Sequence, residues 1–305
     1  MEFFKSNTKI DFMGQRKWAA LFSALLFICS IASFITYGLN LGLDFTGGTQ
    51  IEVNYQQAPD VNSIRQSVVN AGFKDAVVQT YGSATDILIR VAPQKQYSQS
   101  QLQTKLLGIL PGAKLNQIEF IGPKVGKTLV TNGILAIVVS LLATMIYIAI
   151  RFELRFAVSA ALALIHDPVL ILGIFSFFHI EFDLIALAAV LTIIGYSLND
   201  TIVVFDRVRE NFRKVRKGTP FEIMNLSVNQ TLSRTIMTSG ATLAVVTVLY
   251  LLGGETLRPF SLALIIGIVI GTYSSIYVAG ALALALGVNR SHLLPPQRAE
   301  IDDLP

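Results

Sequence analysis

The chain holds a single cysteine, Cys29, and three histidines in 305 residues. One cysteine closes no disulfide within the chain, and so few thiols and imidazoles make a dedicated transition-metal site an unsuitable reading. No metal and no bound cofactor is expected. Charge is scarce too: Asp, Glu, Lys and Arg form 14% of residues, where soluble chains carry roughly a quarter. No nucleophile–base constellation stands out either, so substrate chemistry of the enzymatic kind is not expected. Apolar residues fill the gap, at 52% of the chain with a mean hydropathy of +0.58. The charges that remain fall in dense runs between long uncharged stretches, which is the pattern of a membrane-embedded chain.

Six apolar runs, at about 18–37, 128–150, 156–178, 184–205, 235–252 and 259–286, are each long enough to cross roughly 30 Å of hydrocarbon. Arg16 and Lys17 precede the first run as they would in a signal peptide. Its core is too long for one, however, and no small-residue cleavage pattern follows Tyr37, so it reads as an uncleaved anchor. Lys5, Lys9, Arg16 and Lys17 lie before the first run, Arg151 and Arg155 between the second and third, and Arg207, Arg209, Arg213, Lys214, Arg216 and Lys217 between the fourth and fifth. The opposite turns carry none at 179–183 and only Arg258 near the last. Positive loops face the cytoplasm, so both termini are expected there, with residues 39–125 on the outer side. The pI near 9.1 is explained by these loops, and no nucleic-acid partner is expected.

The inserted segment alternates strand and helix signals. A strand is expected over 43–55, a helix over 61–71, strands at 76–81 and 86–91 joined by Gly82-Ser83, a helix over 101–110 and a last strand at 115–121. The order βαββαβ predicts a ferredoxin-like α+β sandwich whose sheet leaves a face or an edge free for an extended polypeptide. The fold class is thus an α-helical polytopic membrane protein with six transmembrane helices and an inserted ferredoxin-like periplasmic domain. Its parts are 1–38 (tail and first helix), 39–125 (periplasmic domain), 126–288 (five helices) and 289–305 (cytoplasmic tail). Asp44, Gly47 and Gly48 lie at the base of the domain, where the glycines serve as hinges or as turn residues. Gly122-Pro-Lys-Val-Gly126-Lys127-Thr128 imitates a phosphate loop but has three residues between its glycines where that loop has four.

Ionisable groups inside spans are costly and face a bundle interior or a water path. His166 and Asp167 sit mid-way through the third span, before Pro168; Asp200, beside Asn199, is in the fourth; Arg234 enters the fifth. Across the hairpin of spans four and five, Asp200 and Arg234 are expected at similar depth, close enough to pair. Tyr196 and Ser197 share the face of Asp200, and Thr238 and Thr242 that of Arg234. A buried carboxylate beside a guanidinium can load and release a proton as their separation changes. The alternatives are a fixed ion pair, snorkelling of Arg234, and simple helix bridging by His166 and Asp167. Gly267, Gly271 and Ser275 at four-residue spacing form a helix-packing stripe. Thr219-Pro220-Phe221-Glu222 is a capping box opening a helix with Phe221, Met224 and Val228 on one face, expected along the inner membrane surface.

These segments together resemble the SecD/SecF family of bacterial protein-export proteins, within the resistance-nodulation-division superfamily, and its smaller members in particular. The carriers are Gly42-Leu-Asp-Phe-Thr-Gly-Gly-Thr49, Gly122-Pro-Lys-Val-Gly126, Ile165-His-Asp-Pro168, Gly195-Tyr-Ser-Leu-Asn-Asp200 with the residues on to Arg207, and Ser233-Arg-Thr-Ile-Met-Thr-Ser239. The resemblance implies SecD as a partner supplying six more spans, association with the SecYEG channel and YajC, and action on a translocating unfolded polypeptide. It implies use of the proton-motive force late in export, with Asp200, Arg234 and Asn199 in the proton relay and His166, Asp167, Tyr196 and Thr238 as a neighbouring polar cluster. A passive scaffold and a small-molecule exporter are the competing readings.

Overall fold

The computed structural model describes residues 9–94, 96–215 and 217–289; the tails at 1–8 and 290–305 lie outside them. The first span is α1 (Arg16–Thr36). It leads to a two-residue strand β1 (Asn40–Leu41), a single helical turn α2 (Leu43–Thr46) and strand β2 (Gly48–Asn54). The domain continues through α3 (Val61–Asn70), β3 (Val77–Tyr81), β4 (Ser83–Val91), α4 (Gln99–Gly108) and β5 (Lys114–Ile121). The bundle resumes with α5 (Pro123–Arg151) and α6 (Leu154–Phe177), then β6 (Glu181–Phe182), α7 (Leu184–Lys214) and α8 (Pro220–Leu252). The last span is a composite: α9 (Arg258–Tyr273), a π-helical turn over Ser274–Ala279, and α10 (Gly280–Ala285). Among the described residues, six segments are therefore long and apolar enough to cross a membrane.

The inserted domain is an antiparallel sheet in the order β3-β4-β2-β5, assembled from the expected βαββαβ sequence of elements. Alternation along β2 and β4 sends Ile51, Val53, Ile87 and Ile89 to one face, where Val68 of α3 and Leu106 of α4 complete the core. Both helices begin on side-chain caps: Asp60 accepts from the Asn62 amide at 3.0 Å, and Ser98 and Gln101 form a reciprocal box. The other face carries Gln50, Glu52 and Arg90 and looks toward the bundle. There Arg90 donates to Glu181 at 2.5 Å, and the Tyr81 hydroxyl meets Thr256 at 3.3 Å.

The strand expected from residue 43 begins instead at Gly48, because residues 43–46 coil into α2. Gly47 ends that turn at φ +68°, and Gly48 follows at φ +128°, both in the region that favours glycine. The helical turn delivers Asp44 to the start of α7, where its carboxylate accepts the Leu184 amide at 3.0 Å. Asp183 caps the same helix by accepting from the Ala186 amide at 2.6 Å. β1 pairs in parallel with β6, Asn40 opposite Glu181, so the base of the domain is stitched to the α6–α7 turn. The glycine pair thus makes the turn from α2 into β2. Phosphate-loop geometry is not needed to explain Gly126 either: a Cβ there would come within 3.0 Å of the Phe45 carbonyl oxygen and the Gly47 amide nitrogen, so α5 starts in contact with this turn.

At the opposite, basic end, α7 and α8 continue well past their apolar runs. The surface helix expected after Thr219 does not exist as a separate element; it is the first part of α8. Ile223, Met224 and Val228 pack into the core that holds Val208 and Phe212, which zips the two helices together and leaves no apolar face to lie on a membrane. Asn211 reinforces the pair by donating to Ser227 and Gln230, each at 2.8 Å. The N-terminal strap closes this end: Met13 is wholly buried, and Asn229 accepts from the Ile10 amide at 2.9 Å while donating to its carbonyl at 2.8 Å.

Two outcomes test this base. Gly48→Ala would place a methyl 2.4 Å from the Val91 carbonyl oxygen, adding a clash to a backbone strain of about 1–3 kcal/mol. Gly72→Ala, at φ +102° with nothing within 4 Å, carries the strain alone. Thermal unfolding is expected to show a much larger loss for Gly48→Ala, and equal losses would contradict the close approach at this turn. The second concerns Asp183, whose carboxyl is pushed up from the ordinary range by burial, with Glu181 and Asp44 adding to the rise. A raised folded value means the fold binds this proton more tightly, so its contribution weakens as pH rises through the usual carboxylate range and up to the folded value. Asp183→Asn keeps a good cap and removes the charge. Its melting temperature is expected above wild type at pH 7, by about 2–4 °C, with the gap closing as the medium is acidified.

Candidate intramembrane polar site

α7 lies at the centre of the bundle, against α6, α8 and α9, and bears polar groups on two of its faces. Towards α6 and the π-turn it presents Ser197, whose hydroxyl makes a short hydrogen bond to Oδ2 of Asp167. The same Oδ2 accepts from Ser274 of the π-turn at 2.8 Å, while Oδ1 lies 3.0 Å from Nδ1 of His166. Asp167 is 1% exposed. One turn along, Thr201 and Ser275 share a 3.0 Å hydrogen bond. The close approach behind these contacts is set by the small residues of span six. A Cβ on Gly271 would reach 3.0 Å from Ser197 Cβ, and one on Gly267 would collide with Ile193. The packing role expected for Gly267, Gly271 and Ser275 is their geometry here, with Ser275 also a hydrogen-bonding member of the site.

Toward α8, α7 presents Asp200, 3% exposed, which accepts from Ser239 at 3.3 Å. Ser239 also shares a 2.8 Å hydrogen bond with Thr272 of α9, and Tyr196 reaches Ser239 and Thr242 at 3.5 Å. Asp200 is therefore joined through Ser239 of α8 to hydroxyls of α7 and α9. The expected Asp200–Arg234 ion pair is not formed. Arg234 and Thr238 sit one turn apart on the exposed face of α8, and Thr238 returns its hydroxyl to the carbonyls of Arg234 and Thr235. The face that meets Asp200 is that of Thr235, Ser239 and Thr242, although the Arg234 charge is near enough to act on Asp200 through space. Asn199 likewise points outward from α7.

Reading the sequence missed Ser239, Thr272 and Ser274. Hydroxyl side chains in spans are common and usually return to their own helix, as Thr247 does to the Leu243 carbonyl. It also missed the space beneath the sheet, a cavity of about 340 Å³ between the polar sheet face and the bundle, lined by Asp44, Glu52, Arg90, Glu119, Glu181 and Glu255 among others.

The family model described as protein export membrane protein SecD/SecF, C-terminal, matches residues 101–289, and the SecD/SecF GG motif matches residues 32–59. A protein translocase subunit SecF of Vibrio alginolyticus is 48% identical, with 99% of this chain and 98% of the relative covered. One of Escherichia coli O157:H7 is 47% identical, over 93% and 90%. Among solved structures, the crystal structure of SecDF from Thermus thermophilus superposes with a TM-score of 0.85 at 37% identity, covering 92% of this chain and 39% of that longer one. SecDF in a super-membrane-facing form superposes less well, at 0.69 with the same identity, so the present conformation is nearer the first. The chain belongs to the SecD/SecF family of protein-export membrane proteins.

Proposed function

We propose that this chain is a SecF-type accessory subunit of protein translocation that works with SecD and uses the proton-motive force to promote late steps of export through the SecYEG channel. YajC is a further partner, and the energy source is the proton gradient, with no bound cofactor. In this reading the chain lies in the bacterial cytoplasmic membrane with both termini inside. Residues 39–125 form a ferredoxin-like periplasmic domain positioned where an emerging unfolded polypeptide appears.

The observation that carries the reading is Asp200: a carboxylate buried among hydroxyls, held by no ion pair, with Arg234 displaced to an exposed face of the neighbouring helix. A carboxylate in apolar surroundings is stable when it carries a proton or finds a cation, so it is suited to cycling between the two. The exposure of Asn199, Arg234 and Thr238 on adjacent helices favours a partner that completes the relay on that side. Each charge crossing the potential contributes about 2.3 kcal/mol per 100 mV, enough to bias a conformational cycle. A small-molecule exporter is disfavoured by the single small inserted domain, and a passive scaffold by the cost of burying Asp200.

Asp200→Asn keeps the shape and the hydrogen bond to Ser239 while removing the exchangeable proton. Proton-driven export in inverted membrane vesicles is expected to fall by about 10²-fold or more, with assembly alongside SecD preserved. Export that remains fully responsive to the proton gradient would reduce the chain to a scaffold.

A further inference from the structure

We propose that His166 and Asp167 form a second proton-binding site in this chain, separate from Asp200, in which Nε2 of His166 takes up and gives back the proton. The inference rests on the proton-coupled reading above and deepens it. Three observations carry it. First, Asp167 is 1% exposed, and its two oxygens are fully committed: Oδ2 to the hydroxyls of Ser197 and Ser274, and Oδ1 to Nδ1 of His166. A carboxylate oxygen that accepts from Nδ1 fixes the ring proton on Nδ1 and leaves Nε2 with a bare lone pair. Second, that Nε2 is buried without a hydrogen-bond partner, on a side chain 8% exposed. Unpartnered buried polar atoms are rare and invite an explanation. Here the proposed explanation is that Nε2 is the atom that accepts the proton. The Phe27 ring of α1 stacks on the imidazole at 6.2 Å and 6°, which holds the ring in place.

Third, the backbone is interrupted on both sides of the pair. Pro168 removes an amide donor from α6 and frees the Leu164 carbonyl. Opposite it, Ser274 is the first residue of the π-turn in span six. Such turns in helices collect at functional sites, because they let a helix change register at little cost. Charge balance points the same way. After Lys17 in α1, between Lys127 and Arg151 in α5, before Arg207 in α7 and after Arg258 in the last span, the elements packed against α6 hold no Lys or Arg, and α6 itself has only Arg155, in its first turn. Of the titratable groups they bring, Asp200 is engaged by Ser239 of α8, and the Tyr273 hydroxyl is turned to Ser23 and the Ala19 carbonyl of α1. Arg234 is on the exposed face of α8.

The step is a simple one. A proton from the aqueous phase bonds to the Nε2 lone pair while the Nδ1–H···Oδ1 bond stays intact. A neutral imidazole beside a carboxylate becomes an imidazolium–carboxylate pair of zero net charge. Release from Nε2 restores the starting state, and no other bond changes. Loading thus neutralises a charge that the apolar interior disfavours, and unloading restores it at the junction of α6, α7 and the π-turn, where the backbone can yield.

Histidine-selective 15N labelling of the full chain, co-purified with SecD and placed in nanodiscs, reads the tautomer directly. The His166 signals are those absent from His166→Gln. The wild type is expected to show a protonated Nδ1 and a bare Nε2, a preference that Asp167→Leu, which keeps the bulk and offers Nδ1 no acceptor, abolishes. An Nε2–H tautomer in the wild type overturns the proposal, since the accepting atom would already be occupied. In vesicles, His166→Gln is expected to lower proton-driven export by about tenfold. Ser274→Ala, which keeps both ionisable groups and loses one donor to Asp167, is expected to lower it by about threefold. Asp200→Asn separates the two readings. If it abolishes proton-driven export while His166→Gln and Ser274→Ala leave it intact, the dyad alone is refuted. If all three leave it intact, the proton-coupled reading falls as well.

Discussion

The constraint on which the bundle depends is the cost of keeping two carboxylates, Asp167 and Asp200, away from water with no cation in direct contact. A charge at mid-membrane costs about 3 kcal/mol on insertion scales, and hydrogen bonds must offset it. The hydroxyls that supply them come from α7, α8 and span six, so those helices have to approach closely. That requirement explains Gly267 and Gly271, whose missing side chains let span six settle against Ile193 and Ser197. It also explains why Ser274 is wholly buried in a region that lipid-facing helices would fill with leucine.

Because α7 holds the middle, it sorts the polar groups into two hydrogen-bonded clusters. Asp167 forms one with α6 and the π-turn, and Asp200 forms the other with α8 and α9. At its N-terminal end the same helix is capped twice, by Asp183 and by Asp44 from the glycine-bounded turn that begins the inserted domain. The base of the domain is therefore tied to the helix that separates the two polar clusters, with Arg90–Glu181 as a second tie.

The spans, the Thr219 cap and the order of elements in the inserted domain were legible because each rests on local patterns: apolar length, Thr followed three residues later by Glu, and alternation. The extension of α7 and α8 beyond the apolar runs was not, since Ile223, Met224 and Val228 announce an apolar face without saying whether lipid or another helix covers it. The depth of Asp200 and Arg234 was readable by counting turns, but their angular position was not. Thr238 and Ser239 are neighbours in the chain yet point about 100° apart around α8. Ser239 meets the carboxylate, and Thr238 faces out with Arg234. The π-turn left no signature, since Ser274-Ser275 reads as ordinary helix.

The strap at the basic end bears on the order in which the chain is assembled. Ile10 and Met13 are synthesised first, yet their backbone groups are held by Asn225 and Asn229, more than 200 positions later. Until α8 emerges, Met13 has neither Met224 nor Gly280 to pack against. A contact of such sequence separation forms late, so closure of this end follows insertion of nearly every span and marks the point at which the subunit's own folding is complete.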